Sequence, residues 1–149
     1  MCIRDSYILC GKGNQRDKLV KLASALGVAG QVHFLGYRKD VVNICAQADI
    51  YAMPSFREGL PVSSLEAMYC GLPLVTSAIR GLVDVNQNER NGFLCAPTDY
   101  ISFAKYIKKL LGDSTLRKEI GENNKQDVLP FTIGRTIKEV ESLFKTKST

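Results

Sequence analysis

A chain of 149 residues, 45% hydrophobic and 23% charged, has room for one domain with its own core and the balance of an ordinary globular protein. No apolar run in these 149 residues approaches the roughly 18 that a membrane-spanning helix needs. The formal net charge of +5 favours anionic partners such as phosphorylated ligands or acidic lipid surfaces, while no basic run is interleaved with aromatics as a nucleic-acid surface would be.

The leader Met1-Cys2-Ile3-Arg4-Asp5-Ser6 lacks the apolar stretch and small-residue cleavage site of a signal peptide. It fits no strand and reads as a foreign or truncated start, so residues 1–6 are set apart from a domain over 7–149. Tyr7–Cys10 is the first predicted strand. The turn after it, Gly11-Lys12-Gly13-Asn14-Gln15-Arg16, lacks the Gly-Lys-Ser/Thr ending of a phosphate-binding Walker loop and the third glycine of a dinucleotide fingerprint. It reads as a tight turn into a helix, with Lys12 or Arg16 within reach of a phosphate as the alternative. Leu19, Leu22, Ala23 and Leu26 share one face of that helix.

The second predicted strand, Val32–Leu35, holds the only histidine, His33. No cysteine or carboxylate spacing surrounds it, so a structural role is favoured over catalysis or metal binding. Val41, Ile44, Cys45 and Ala48 mark a second helix, Asp49–Met53 a third strand, Leu74–Thr76 a fourth and Gly92–Cys95 a fifth. Asn86–Asn91 is polar and turn-forming, expected as a loop at a cleft rim. Strands alternating with helices predict an α/β fold, a Rossmann-like parallel sheet with crossover helices.

The last third is helical. Tyr100, Phe103, Ala104, Ile107, Leu110 and Leu111 form one stripe, opposite Ser102, Lys105, Lys108 and Lys109. The lysines read as a solvated face, with a peripheral membrane contact as the alternative. Asp113-Ser114 can cap a further helix, with Gly121 placed near its end. Ile133, Ile137, Val140 and Phe144 make a terminal amphipathic stripe.

Five cysteines, Cys2, Cys10, Cys45, Cys70 and Cys95, are scattered and odd in number. The four after Cys2 sit within or beside apolar segments. Buried thiols in a reducing compartment are favoured over disulfides or a metal site, which points to the cytoplasm. No Asp-x-Asp pair offers a divalent metal to a diphosphate, and a metal-independent site without a cofactor is expected.

In an open parallel sheet ligands bind beyond the carboxyl ends of the strands. The loop after Met53 reads Pro54-Ser55-Phe56-Arg57-Glu58-Gly59-Leu60-Pro61 and leads into a helix with Leu65, Met68 and Tyr69 on its buried side. Pro61 suits the first turn of this helix and Gly71 its C-terminal stop. Gly59 and Leu60 then present backbone N–H groups at a helix N-terminus, where free donors and the helix dipole favour a diphosphate. Glu66 falls in the second turn, and helical side chains lean back toward the N-terminus, so its carboxylate can accept hydrogen bonds from a ribose diol beside the phosphate. Glu58 lies nearer the phosphate and a transferred sugar, and Arg57 can offset part of the negative charge. The same spacing is compatible with Glu66 as a surface helix residue and Glu58 as a cap.

The block Ser55-x-x-Glu58-Gly59-Leu60-Pro61-x-Ser63-x-Leu65-Glu66-Ala67-Met68-x-x-Gly71-Leu72-Pro73-x-Val75 resembles the signature of the group 1, or family 4, retaining glycosyltransferases of the GT-B fold. The flanks Leu9–Gly13, Val32–Gly36, Ala48–Tyr51, Arg80–Asp84 and Asn91–Leu94 are similar to the family as well, and the likeness runs over about residues 7 to 146. The resemblance implies the C-terminal, donor-binding half of such an enzyme. Glu66 would hold the ribose hydroxyls, and Glu58 would act beside the donor sugar as the catalytic residue, holding it or supporting its developing positive charge, with no nucleophile assigned. Gly59, Leu60 and Pro61 would lie against the diphosphate and sugar, Gly36, Tyr37 and Arg38 near the base, and Gly11 to Gly13 along one wall.

The implied partners are a nucleotide-diphosphate sugar and an N-terminal acceptor domain that this sequence does not contain. The implied role is hexosyl transfer to a glycan or lipid-linked acceptor in surface polysaccharide synthesis, at the cytoplasmic side of a membrane. The isolated chain is expected to be inactive. The rival is a non-catalytic nucleotide-binding or interaction module on the same fold. A signalling receiver would need aspartates at strand ends, whereas Asp49 starts its strand.

Overall fold

The computed structural model describes residues 5–146, apart from some side chains of the last helix. Residues 1–4 of the expected leader, and Val140 and Phe144 of the terminal stripe, fall outside what is described. The chain divides after Val41 into two compact units.

In the first unit, β1 (Tyr7–Cys10) and β2 (Val32–Gly36) pair in parallel around α1 (Arg16–Ala25) in sequence. The expected face of α1 is only partly covered. Ala23 is buried, but Leu19, Leu22 and Leu26 are 40%, 51% and 66% exposed. A two-stranded sheet offers little apolar surface to pack against.

The second unit holds β3 (Tyr51–Met53), β4 (Leu74–Ser77) and β5 (Gly92–Cys95), all parallel in the order β3-β4-β5. The expected parallel sheet is thus present as two sheets, one per unit. The short helix α2 (Val41–Cys45) precedes β3, and α3 (Val62–Tyr69) crosses from β3 to β4. The helical third comprises α4 (Tyr100–Gly112), α5 (Ser114–Asp127) and α6 (Ile133–Thr146). β4 is buried along its whole length, as expected of a central parallel strand.

The core gathers Val75, Phe93, Cys95, Phe103, Leu110 and Ile120. Phe93 stacks on Tyr106 with ring centroids 4.3 Å apart. The α4 core face is therefore Phe103, Tyr106, Ile107 and Leu110. The predicted stripe was set one step too wide: Tyr100 is 78% exposed, and Ala104 and Leu111 are also exposed. Lys105, Lys108 and Lys109 are exposed, as expected of a solvated face. Lys109 Nζ lies 4.9 Å from the Phe93 ring centroid and Lys105 Nζ 5.5 Å from that of Tyr106.

α3 packs through one face. Ser64, Ala67 and Met68 are buried, and Tyr69, expected inside, is 65% exposed because it lies a further 100° around the helix. Gly71, with φ +77°, ends α3, and the amide bonds Gly71 N–H to Met68 O and Leu72 N–H to Ala67 O close the last turn as a Schellman motif. Gly121 does not end α5, as was expected. It sits inside that helix, where a Cβ would come 2.4 Å from the Gly71 carbonyl oxygen, so the pair of glycines sets the close approach of α5 to the end of α3. Asp113 caps α5 as predicted, accepting from the Leu116 N–H at 2.9 Å.

The polar stretch Asn86–Asn91 is buried at both ends instead of forming an open rim. Asn86 and Asn91 are 0% and 1% exposed. Asn86 donates to Thr76 Oγ1 and the Phe93 carbonyl. Asn91 donates to Asn124 Oδ1 and Asp127 Oδ2, and Asn124 donates to the Leu72 and Asn91 carbonyls. The amides take the place of ladder partners that irregular backbone cannot find for itself.

Arg90 clamps Asp127 with two bonds of 2.8 Å. Arg90, and after it Asn91, hold the Asp127 carboxyl below its usual value of 3.8 against the opposing effect of burial. A depressed carboxyl stabilises the fold above its unfolded value and loses that contribution as pH falls through the folded one. Asp127→Asn is accordingly expected to flatten the acid limb of a stability-versus-pH curve measured by urea denaturation. An unchanged limb would assign the acid sensitivity elsewhere.

Cys45 and Cys95 are buried, Cys70 is half-buried, and Cys10, expected inside, is exposed on a strand of the narrow first sheet. None of these four is in a disulfide. Among the described residues no helix is long and apolar enough to cross a membrane.

Candidate functional site

The loops that follow β3 and β4 enclose a pocket of about 640 Å³. It is lined from one side by Phe56, Arg57, Glu58, Gly59 and Leu60, and from the other by Ile79, Arg80, Gly81 and Asp84. The volume falls within the range of small-molecule sites, and its position beyond strand carboxyl ends is where open α/β sheets bind ligands.

The two loops touch at glycines. Gly81 has φ +85°, and a Cβ there would stand 1.3 Å from the Gly59 carbonyl oxygen. Only glycine permits that backbone conformation and that approach together. The Gly81 N–H donates to Asp84 Oδ2 at 3.2 Å, which fixes the turn after β4. At Gly59 itself nothing lies within 4 Å of a built Cβ, so its open side faces space that a ligand can use.

α3 is tied to the sheet beneath the pocket. The Tyr51 hydroxyl is 2.8 Å from Ser63 Oγ and donates to Met53 Sδ at 3.3 Å. Burial pushes the Tyr51 phenol above its ordinary value. Pro61 stands at the N-cap, one position earlier than expected, with α3 beginning at Val62. No side chain caps this end, and the first turn therefore keeps unsatisfied N–H groups.

Of the residues picked out from the sequence, Glu58, Gly59 and Leu60 line the pocket. Pro61 and Glu66 are not among its lining residues. Glu66 is the fifth residue of α3 and half-buried. Phe56, Ile79, Arg80, Gly81 and Asp84 had not been chosen as site residues. A usable signal was present, namely a glycine shortly after an apolar strand with a carboxylate three positions on, in one of the loops at strand carboxyl ends.

Gly11, Gly13, Gly36, Tyr37 and Arg38 gather at the ends of β1 and β2 in the first unit. The Gly11 N–H donates to the Gly36 carbonyl at 2.7 Å, and both glycines have positive φ. Tyr37 is 63% exposed with Lys12 Nζ 5.7 Å from its ring centroid. Arg38 is held by Asp40 in two bonds of 2.8 and 2.6 Å, which occupies its fork. His33 is exposed on β2. Among the described residues no group of three or more histidine, cysteine, aspartate or glutamate side chains could hold a metal ion.

Comparison with known proteins places this geometry. The family model described as glycosyl transferases group 1 matches residues 6–127. An N,N'-diacetylbacillosaminyl-diphospho-undecaprenol alpha-1,3-N-acetylgalactosaminyltransferase from Campylobacter jejuni is 37% identical over 103 residues, covering 69% of this chain and 27% of that protein. The lipopolysaccharide core biosynthesis glycosyltransferase LpsE of Rhizobium meliloti is 32% identical, over 81% of this chain and 36% of its own length. The crystal structure of Anabaena Alr3699/HepE in complex with UDP superposes with a TM-score of 0.83 at 27% identity, covering 95% of this chain and 42% of that one. The same protein has been solved with UDP-glucose, with a TM-score of 0.81 at 28% identity over 92% of this chain and 40% of that one. The chain thus spans about a third of the length of the curated relatives it matches.

Proposed function

Because this chain belongs to the group 1 glycosyl transferases of the GT-B fold, we propose that it binds the nucleoside diphosphate of a nucleotide-sugar donor at the pocket between the β3 and β4 loops. The observation that carries the reading is the placing of Glu58, Gly59 and Leu60 on that pocket, at the uncapped start of the helix that bears Glu66. Free N–H groups and the positive end of the helix dipole favour the diphosphate there. Glu66 accepts from the ribose hydroxyls, Glu58 stands by the transferred hexose and supports positive charge at its anomeric carbon, and Gly59, Leu60 and Pro61 lie along the diphosphate. Gly11, Gly13, Gly36, Tyr37 and Arg38 are further donor-binding candidates, which substitutions in the first unit test separately. Transfer proceeds with retention and without a metal.

Uridine nucleotides are the first donors to test, since Alr3699/HepE was crystallised with UDP and UDP-glucose. The names of the Campylobacter and Rhizobium relatives support a lipid-linked or glycan acceptor in surface polysaccharide synthesis. On this reading residues 7–149 are the donor-binding domain and residues 1–6 lie outside it. The reaction belongs at the cytoplasmic face of a membrane, with the α4 lysines as its peripheral contact. An acceptor domain completes the active enzyme, and the 149-residue chain alone binds donor without turning it over.

Calorimetry with UDP tests the proposal. A hydrogen bond to a charged group is worth about 1.5–3 kcal/mol, so Glu66→Ala is expected to weaken UDP roughly 10- to 100-fold. UDP affinity indifferent to that substitution would favour a non-catalytic module. Donor turnover by the 149-residue protein, above the Glu66→Ala background, would overturn its inactivity.

A further inference from the structure

A nucleotide-sugar donor held by Glu58, Gly59 and Leu60 takes up one wall of the pocket. Ile79, Arg80 and Asp84 on the β4 loop, and Phe56 ahead of Glu58, line the same cavity and have no role toward that donor. Phe56 is 73% exposed, the most open of the described phenylalanines, although a side chain of this kind usually goes inside. Arg80 has no hydrogen bond or ion pair among the described residues. The Asp84 carboxylate accepts from the Gly81 N–H, one of about four bonds that its two oxygens can take.

An open aromatic face beside a carboxylate and a guanidinium is a surface that suits a pyranose ring. The C–H bonds of the sugar lie against the negative face of the aromatic ring. Its hydroxyls donate to the carboxylate and accept from the guanidinium in charge-assisted bonds. The cavity also sets where such a ring lies. The contact of Gly59 with Gly81 holds the β4 loop against the β3 loop, so Asp84 and Glu58 line one space. Transfer needs the receiving hydroxyl about 3–3.5 Å from the anomeric carbon, so the sugar that receives the hexose has to share this space with it.

We propose that Phe56, Arg80 and Asp84 form an acceptor subsite on this chain, which takes the pyranose ring of a carbohydrate acceptor. Naming that sugar the acceptor rests on the donor reading of the pocket, whereas the sugar-binding surface does not need it. Phe56 carries the ring, and Asp84 and Arg80 orient its hydroxyls. All three are positioning residues, and no covalent step passes through them.

Saturation-transfer NMR on the 149-residue chain tests the subsite. The probes are methyl α-glucoside, methyl α-galactoside and their 2-acetamido counterparts, each alone and with UDP-glucose at saturation. At least one glycoside is expected to receive saturation on its ring C–H protons and to keep it when UDP-glucose is present. Phe56→Ala is expected to weaken that glycoside about two- to tenfold, the size of one aromatic contact, and to leave the fold intact because the side chain stands mostly in solvent. Asp84→Asn keeps an oxygen for the Gly81 N–H and is expected to weaken the glycoside about three- to tenfold by removing the charged acceptor. UDP-glucose affinity by calorimetry should hold in both variants, which a collapse of the pocket would not allow. Saturation transfer to none of the glycosides overturns the subsite, as does glycoside affinity equal in wild type and both variants. Transfer that disappears when UDP-glucose binds also overturns it, since the glycoside then sits in the place of the donor hexose. So does a loss of UDP-glucose affinity in the variants that matches the loss of glycoside. Nucleotide binding separates the two readings. UDP-glucose binding that needs Glu66, without any glycoside binding, keeps the donor site and ends the subsite. Glycoside binding that needs Phe56 and Asp84, in a chain that binds neither UDP nor UDP-glucose, keeps the sugar surface and ends the donor reading.

Discussion

Gly81→Ala is expected to cost the protein both stability and nucleotide affinity. Its φ of +85° is strained for any residue with a Cβ, at about 1–2 kcal/mol. The larger effect is steric. A Cβ would fall 1.3 Å from the Gly59 carbonyl oxygen, 2.5 Å from its carbon and 3.3 Å from the Glu58 oxygen. These are backbone atoms, which have no rotamer to change, so the β3 loop must move bodily. Overpacking of this kind adds about 1–3 kcal/mol, for a total of roughly 2–5 kcal/mol in urea denaturation. The displaced residues, Glu58 and Gly59, are those proposed to face the donor, so UDP affinity should fall with the loop's displacement. Gly59→Ala is the control: nothing lies within 4 Å of its Cβ and its φ is not positive, so stability should hold while the approach of a diphosphate is hindered. Wild-type stability of Gly81→Ala would show that the two loops do not meet as described.

Asn124→Ala is expected to be the most destabilising change far from the pocket. Its side chain is wholly buried, donates to the Leu72 carbonyl at 2.7 Å and the Asn91 carbonyl at 3.0 Å, and accepts from Asn91 Nδ2 at 2.8 Å. Alanine takes away the amide that the Leu72 carbonyl accepts from, while the Asn91 carbonyl keeps the Leu74 N–H at 3.0 Å. At about 1–3 kcal/mol for the buried Leu72 carbonyl left unpaired and about 0.5–1.5 kcal/mol for each of the two other bonds lost, the loss should reach roughly 2–6 kcal/mol by urea denaturation. The network joins α5 to the segment after α3 and to the start of β5, so the substitution loosens the scaffold that carries β4 and its loop. A loss below about 1 kcal/mol would mean that water reaches these groups and replaces the amide.

Much of the scaffold was legible in the sequence for identifiable reasons. Tyr7–Cys10 and Gly92–Cys95 are short apolar runs bounded by turn residues, and their limits match the strands found. Gly71 and Asp113 act through their own backbone and neighbours, so their roles as stop and cap could be read locally. The E-x7-E block carried the family, and three of its residues line the pocket.

What escaped is what long-range contacts decide. Gly81 meets Gly59 from 22 positions away, and Gly121 meets the Gly71 carbonyl, neither of which any local pattern records. Asn91 and Asn124 are partners 33 residues apart, so the burial of Asn91 could not be read from its own polar, turn-forming segment. Tyr69 and Tyr100 were drawn into apolar stripes because an aromatic one step off a helix face still fits a loose periodicity, and packing alone decides its side. Arg80 was invisible as a site residue until the β4 loop was seen to close on the β3 loop.

The central claim is that Glu66 and the Glu58–Pro61 loop hold a nucleotide donor. The most direct measurement is a crystal structure of the chain soaked with UDP. The account predicts the ribose hydroxyls within about 3 Å of the Glu66 carboxylate and the diphosphate against Gly59 and Leu60. A nucleotide bound elsewhere, with Glu66 left facing solvent, would contradict it.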